Sequence, residues 1–138
     1  MDTARPPPVR VLVVDDCRDA ADSLAVLLRL WGYETAVAYD GPAALALAAA
    51  EPPAAALLDL ALPRMDGWEL ARRLRRQPAT ARALLVAVTG RGREEDVQRC
   101  CKAGFDLHVY KPFDPEEVRR VLAARLPPPP RDDAAASL

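Results

Sequence analysis

Aromatic residues are scarce, only 5% of 138, although hydrophobic residues reach 51%. The apolar content therefore rests on small aliphatic side chains, 27 alanines among them, which fits Ala-rich helices around a Val/Leu core. An excess of charge of either sign is also missing. With 19 Lys+Arg against 20 Asp+Glu, no global field draws nucleic acid or an anionic membrane, and partners must be argued from local sites. No stretch approaches the roughly 18 apolar residues of a membrane-spanning helix, and the opening MDTARPPPVR lacks the apolar run of a signal peptide. The expected compartment is the cytoplasm, and the length is that of one domain. Cysteine occurs three times and histidine once. Cys17, Cys100 and Cys101 have the spacing of neither a zinc ribbon nor a Cys-x-x-Cys redox pair, so they are expected to pack as small apolar residues. The alternative, oxidation at Cys17, sits poorly beside two carboxylates.

What the chain does have is alternation. Pro6–Pro8 and Pro127–Pro130 favour extended polyproline, and Arg131–Leu138 holds little to bury. Residues 1–8 and 127–138 are therefore expected as a flexible N-terminal tail and a disordered Pro-rich C-terminal tail around a folded unit of residues 9–126. Within it Val9–Val14 reads as a strand buried on both faces, and Ala21, Leu24, Leu28 and Trp31 recur at helical steps before Gly32. The unit repeats. Strands are expected at Tyr33–Ala38, Ala54–Leu58, Leu84–Val88 and Phe105–Tyr110, and helices at Gly41–Glu51, Gly67–Arg76 and Glu94–Ala103. A final helix is announced by Asp114, Pro115 and Glu117 as cap, first position and third position. Five strand–helix units require crossover connections, hence a doubly wound α/β fold with a five-stranded parallel sheet.

In such folds ligands sit beyond the carboxyl ends of the strands. Those ends carry Asp15-Asp16, Asp59, Thr89-Gly90 and Lys111-Pro112. One Asp after a strand is more often a helix cap than a ligand; three carboxylates together repel unless a cation neutralises them, and hard oxygen ligands suit Mg²⁺. Lys111 and Thr89 supply an ammonium and a hydroxyl for a phosphoryl group, and a carboxylate can itself be the nucleophile, giving an aspartyl phosphate.

The segments VLVVDD, LLDLALPRMDGWEL, VAVTG and AGFDLHVYKPFDPEEV resemble a response-regulator receiver domain of two-component signalling, of the stand-alone type, over residues 9–126. The resemblance implies a flavodoxin-like (βα)5 fold with strand order 2-1-3-4-5. It implies Asp59 as phospho-acceptor, Asp15 and Asp16 as the metal-binding acid pair with Asp16 the more direct ligand, and the backbone carbonyl of Ala61 completing the Mg²⁺ site with Asp59. Thr89 matches the switch hydroxyl, Lys111 the motif lysine, and Lys111-Pro112 a cis bond. Where the family usually has an aromatic switch residue, this chain has His108; the bland alternative is a half-exposed strand residue. As the only histidine, and in a strand, it does not make the chain a phosphohistidine donor. The implied partners are a sensor histidine kinase or histidine phosphotransfer protein and an unidentified downstream protein. The partner or a second copy of the chain, as a homodimer, is expected at the face of the fourth helix, fifth strand and fifth helix. Nothing after Leu126 reads as an output domain.

Other readings are weaker. A haloacid-dehalogenase-type phosphatase also uses Asp, Mg²⁺ and Lys but wants Asp-x-Asp, and Asp59 is followed by Leu60-Ala61. A flavodoxin-type carrier would set FMN phosphate against an acidic rim. A phosphorylation-independent adaptor would be marked by loss of a pocket residue, which is not seen. The chain is thus expected to be a phosphoryl acceptor with weak self-dephosphorylation rather than an enzyme. Arg72, Arg73, Arg75 and Arg76 read as a solvated helix face paired with Glu69, not as a nucleic-acid site, and Met65-Asp66-Gly67 as loop and helix entry.

Overall fold

The computed structural model describes residues 7–90 and 94–130. Strands and helices alternate as β1 (Arg10–Val14), α1 (Arg18–Leu30), β2 (Glu34–Ala38), α2 (Gly41–Ala50), β3 (Ala55–Asp59), α3 (Gly67–Arg76), β4 (Leu84–Thr89), α4 (Glu94–Ala103), β5 (Leu107–Tyr110) and α5 (Pro115–Arg125). All pairings are parallel, in the order β2-β1-β3-β4-β5. β3 and β4 are buried along their whole length, as central strands covered on both faces must be.

Because side chains alternate across a strand, the sheet has two cores. Leu12, Val14, Leu58, Leu85 and Ala87 meet α2, α3 and α4 through Ala44, Ala48, Leu70, Leu74, Cys100 and Ala103. Val11, Val13, Leu57, Val86 and Val109 meet α1 and α5 through Leu24, Leu28, Val118 and Leu122. Small residues let helices approach the sheet closely: Ala44 and Ala48 are almost wholly covered. Asp40, Asp66 and Asp114 cap α2, α3 and α5, each carboxylate accepting a backbone N–H of the first turn.

Several boundaries differ from the sequence expectation, two of them for a shared reason. Tyr33 and Phe105 were expected to open strands, but their N–H groups donate to Leu28 O and Cys100 O at 3.0 Å, closing the preceding helices around Gly32 (φ +100°) and Gly104 (φ +108°). That is Schellman closure, and it delays the strands to Glu34 and Leu107. Elsewhere the shifts are of a single residue: β1 starts at Arg10, β3 and β4 extend through Asp59 and Thr89, and α2 ends at Ala50. Of the cysteines only Cys100 is buried; Cys17 and Cys101 are exposed, contrary to the packing expectation, because both fall on outward positions. Pro129 and Pro130 lie half-buried, and a side chain at Gly32 would meet Pro129 at 3.1 Å. The tail positions 1–6 and 131–138 lie outside the described residues.

The arginine run also needs correction. Arg72 and Arg73 pair with Glu69 at 3.2 and 2.9 Å, as a solvated face should. Arg75 instead turns inward and gives its nitrogens to Gly104 O, Ala81 O, Ala83 O and Asp106 Oδ2. Asp106 Oδ2 also accepts the Leu85 N–H at 2.9 Å. One side chain thereby ties the end of α3 to the starts of β4 and β5.

Candidate functional site

The carboxyl edge of the sheet brings the expected groups together. Asp15 directly follows β1, Asp59 ends β3, Thr89 ends β4 and Lys111 directly follows β5. Asp15, Asp59 and Thr89 are buried, while Asp16 is exposed and Lys111 half-buried. Each buried carboxylate is oriented by its own loop: Asp15 Oδ1 accepts the Cys17 N–H and Asp59 Oδ1 the Ala61 N–H, both at 3.0 Å. Their other oxygens turn to a common cation. Lys111 Nζ donates to Asp15 Oδ2 at 3.0 Å and to Asp59 Oδ2 at 3.2 Å. The Lys111 N–H is held by Thr89 O at 2.8 Å, and the bond to Pro112 is cis, as the resemblance implied.

Burial pushes the Asp59 carboxyl above the ordinary carboxylate range, and nearby Asp15 adds to this against the opposing Ala61 N–H and Lys111. For Lys111, burial works against the charge, but Asp15 and Asp59 outweigh it and hold the ammonium above its usual pKa. The pocket thus keeps a protonated lysine beside a carboxylate that is poorly solvated.

Oxygens of Asp15, Asp16 and Asp59 all lie within 4.8 Å of one another. Three acidic groups in that space, with one ammonium shared between two of them, leave excess negative charge and hard oxygen donors, a set that fits Mg²⁺.

Two neighbours of the loop after Asp59 were not singled out as site residues by sequence reasoning. Gly67 N–H donates to Leu60 O at 3.0 Å, and a Cβ on Gly67 would stand 2.4 Å from Asp59 O and 2.7 Å from Leu60 Cα. Only glycine lets α3 begin against the backbone of Asp59. Arg64, in the same loop, is at φ +69°, a left-handed conformation that L side chains resist. The Asp-Gly pair was a visible signal for a tight helix entry, but nothing local announced its contact with Asp59. An apolar cavity of about 530 Å³ also borders the pocket, between Leu24 and Leu27 of α1 and Pro112-Phe113.

His108 pairs with Ala87 in the β4–β5 register. Thr89 lies two residues beyond Ala87, so both switch candidates project to the α4 side of the sheet. His108 stacks on Tyr110 at 6.4 Å with the rings 16° apart, and its Nε2 is buried without a hydrogen-bond partner. Burial lowers its pKa and favours neutral imidazole.

A five-stranded 2-1-3-4-5 sheet with a lysine-bridged acid pocket at its carboxyl edge defines a phosphoryl-handling α/β module. The family model of the response regulator receiver domain matches residues 11–123, and the chain belongs to that family. Members of the family are phosphoryl acceptors of two-component signalling. The DNA-binding response regulator MtrA of Mycolicibacterium smegmatis is 40% identical over 126 residues, 91% of this chain and 53% of MtrA, so the chain spans about half of that relative. The chemotaxis protein CheY4 of Vibrio cholerae superposes with a TM-score of 0.84 at 28% identity, over 87% of this chain and all of CheY4. The receiver domain of sensor histidine kinase PA1611 from Pseudomonas aeruginosa, solved with magnesium coordinated in its active-site cleft, gives 0.79 at 28% identity, over 86% and 98% of the two chains. Among the described residues no helix is long and apolar enough to cross a membrane.

Proposed function

We propose that this receiver takes a phosphoryl group from a histidine kinase or histidine phosphotransfer protein onto Asp59 and signals through the face of α4, β5 and α5. The observation that carries the assignment is the single lysine bridging Asp15 and Asp59 beneath three converging carboxylates. An Asp59 carboxylate oxygen attacks phosphorus as the phosphorus–nitrogen bond of the donor breaks, and the imidazole leaves with that electron pair. Lys111 stays charged through the step and offsets the negative charge arriving on the phosphoryl oxygens. Asp15, Asp16, Asp59 and the Ala61 carbonyl would hold Mg²⁺, which when bound neutralises carboxylates and phosphoryl oxygens alike. Asp16, exposed and free of the lysine, is the acid best placed to lead that binding.

Phosphorylation adds charge and acceptor oxygens. The Thr89 hydroxyl turns to them, and His108, on the same side of the sheet, follows into the vacated space. The downstream protein, or a second copy of the chain, then meets an altered face. Return to the resting state is by slow hydrolysis at the same pocket. The phosphatase alternative is disfavoured by Ala61, which offers no acid two residues after Asp59, and the adaptor alternative by the presence of all five pocket side chains. Intact mass after incubation with Mg²⁺ and a small phosphodonor tests the assignment: one acid-stable, base-labile phosphoryl adduct is expected on the parent and none on Asp59→Asn. An equal adduct on Asp59→Asn would reject it.

A further inference from the structure

The contact between α3 and α4 joins charge, an aromatic face and a helix cap that the phosphoryl chemistry leaves unused. The guanidinium carbon of Arg99 on α4 stands 3.9 Å from the centroid of the Trp68 ring on α3, and an Arg99 nitrogen is 3.8 Å from Asp66 Oδ2. Trp68 is only 4% exposed, and its indole N–H has no hydrogen-bond partner, so packing and the cation above it hold the ring. Asp66 meanwhile uses Oδ1 to accept the Glu69 N–H at 2.9 Å, fixing the first turn of α3. Between Asp66 and Trp68 lies Gly67, whose N–H holds Leu60 O and whose Cα packs against the backbone of Asp59. A continuous path of contacts therefore runs from α4, through the cap of α3, to the backbone of the acceptor.

We infer that Arg99 is a positioning residue: through Trp68 and Asp66 it couples α4 to the Asp59 loop, by a route separate from Thr89 and His108. The inference rests on the proposed roles of Asp59 and of the α4–β5–α5 face. On this inference the stacked, paired Arg99 favours the resting arrangement of α4. A contact that is weakened when α4 shifts favours that arrangement and opposes phosphoryl binding by the difference between the two states. By reciprocity, removing it strengthens phosphoryl binding by the same factor.

The test uses the full chain carrying Trp31→Phe, which leaves Trp68 as the remaining one of two tryptophans. Trifluoroberyllate with Mg²⁺ serves as the phosphoryl analogue, its binding read by fluorine NMR and the helix contact by Trp68 emission. Arg99→Ala is expected to bind the analogue about fivefold tighter, the factor that corresponds to about 1 kcal/mol of lost cation–π contact. Its Trp68 emission without analogue should already resemble that of the loaded parent. Arg99→Lys, which keeps the cation, should stay within about twofold of the parent, as should Lys102→Ala, which removes another α4 charge. Asp66→Asn retains a capping oxygen while removing the partner charge, and should tighten binding about twofold, an independent reading should Arg99→Ala fold poorly. Unchanged or weaker affinity in both Arg99→Ala and Asp66→Asn would refute the coupling, as would emission of the parent that ignores the analogue. A parent that fails to bind trifluoroberyllate, or an Asp59→Asn variant that binds it as well, would instead strike at the proposed function and take this inference with it.

Discussion

Replacing Asp59 by Asn should make the metal-free protein more stable at neutral pH even as it abolishes phosphoryl uptake. The acidic oxygens lie within 4.8 Å of one another, and at an effective dielectric of about 20 two unit charges that far apart repel by about 3.5 kcal/mol. Lys111 Nζ, 3.2 Å from Asp59, returns about 5 kcal/mol of attraction on the same scale. The amide keeps the shape but removes one attraction and two repulsions, of which the Asp16 share is weakened by solvent. About 1 kcal/mol of relief remains, and release from the burial of a charged carboxylate acts in the same direction. The pH dependence follows from the raised pKa of Asp59. The folded state holds the Asp59 proton more tightly than the unfolded chain does, so the destabilisation is absent in acid and fully developed above the folded pKa. Urea unfolding in EDTA should therefore show the Asn variant with a midpoint about 0.5 M higher at pH 7, from a typical urea slope of about 2 kcal/mol/M, and no advantage near pH 3. Mg²⁺ should narrow the gap by stabilising the parent more. A midpoint that falls or stays level at pH 7 in EDTA, or an advantage that persists in acid, would show that the acid cluster is not under this repulsive load.

Arg75→Ala deletes the bonds to Gly104, Ala81, Ala83 and Asp106 and should cost about 3 kcal/mol of stability, since carbonyls and a carboxylate lose a charged donor together; a loss under 1 kcal/mol by urea titration would contradict the staple. Gly67→Ala drives a methyl to within 2.4 Å of Asp59 O, so the Asp59 backbone must shift, and phosphoryl uptake from a small donor should slow by about tenfold; an unchanged rate in a folded variant would show that the loop yields without moving Asp59. Arg64→Gly relieves the left-handed conformation at φ +69° and should stabilise the protein by about 1 kcal/mol, with a lower thermal midpoint as the contrary result.

Much of this architecture is legible in the sequence. Continuous apolar runs such as Leu84–Val88, too short for helices, read as strands covered on both sides, and in such folds their polar terminators mark the edge where a ligand sits. That is why Asp15, Asp59, Thr89 and Lys111 could be placed together in advance. The starts of β2 and β5 were misread, because the alternation of Tyr33 and Phe105 says nothing about which carbonyl their N–H groups will choose, and the preceding helices claimed both. Arg75 looked like its neighbours on the same solvated helix, and nothing near it in sequence reveals the carbonyls of Gly104 and Ala83 that take it out of solvent. Gly67 and Arg99 were equally silent, since each acts on an element separated from it by a strand or a loop.

Local patterns by themselves determined the kind and order of the elements and the chemistry at the strand ends, because hydrophobic period and capping residues act over a few positions of chain. Partner choice was decided only by the folded chain. Asp15 and Asp16 are consecutive and chemically identical, yet the backbone turning out of β1 buries the first against Lys111 and leaves the second in solvent. Arg73 and Arg75 are two steps apart on one helix, roughly 200° of rotation at 3.6 residues per turn, so one meets Glu69 and water while the other meets the α4–β5 turn. Side-chain direction is set where elements cross, and crossing is a property of the whole sheet.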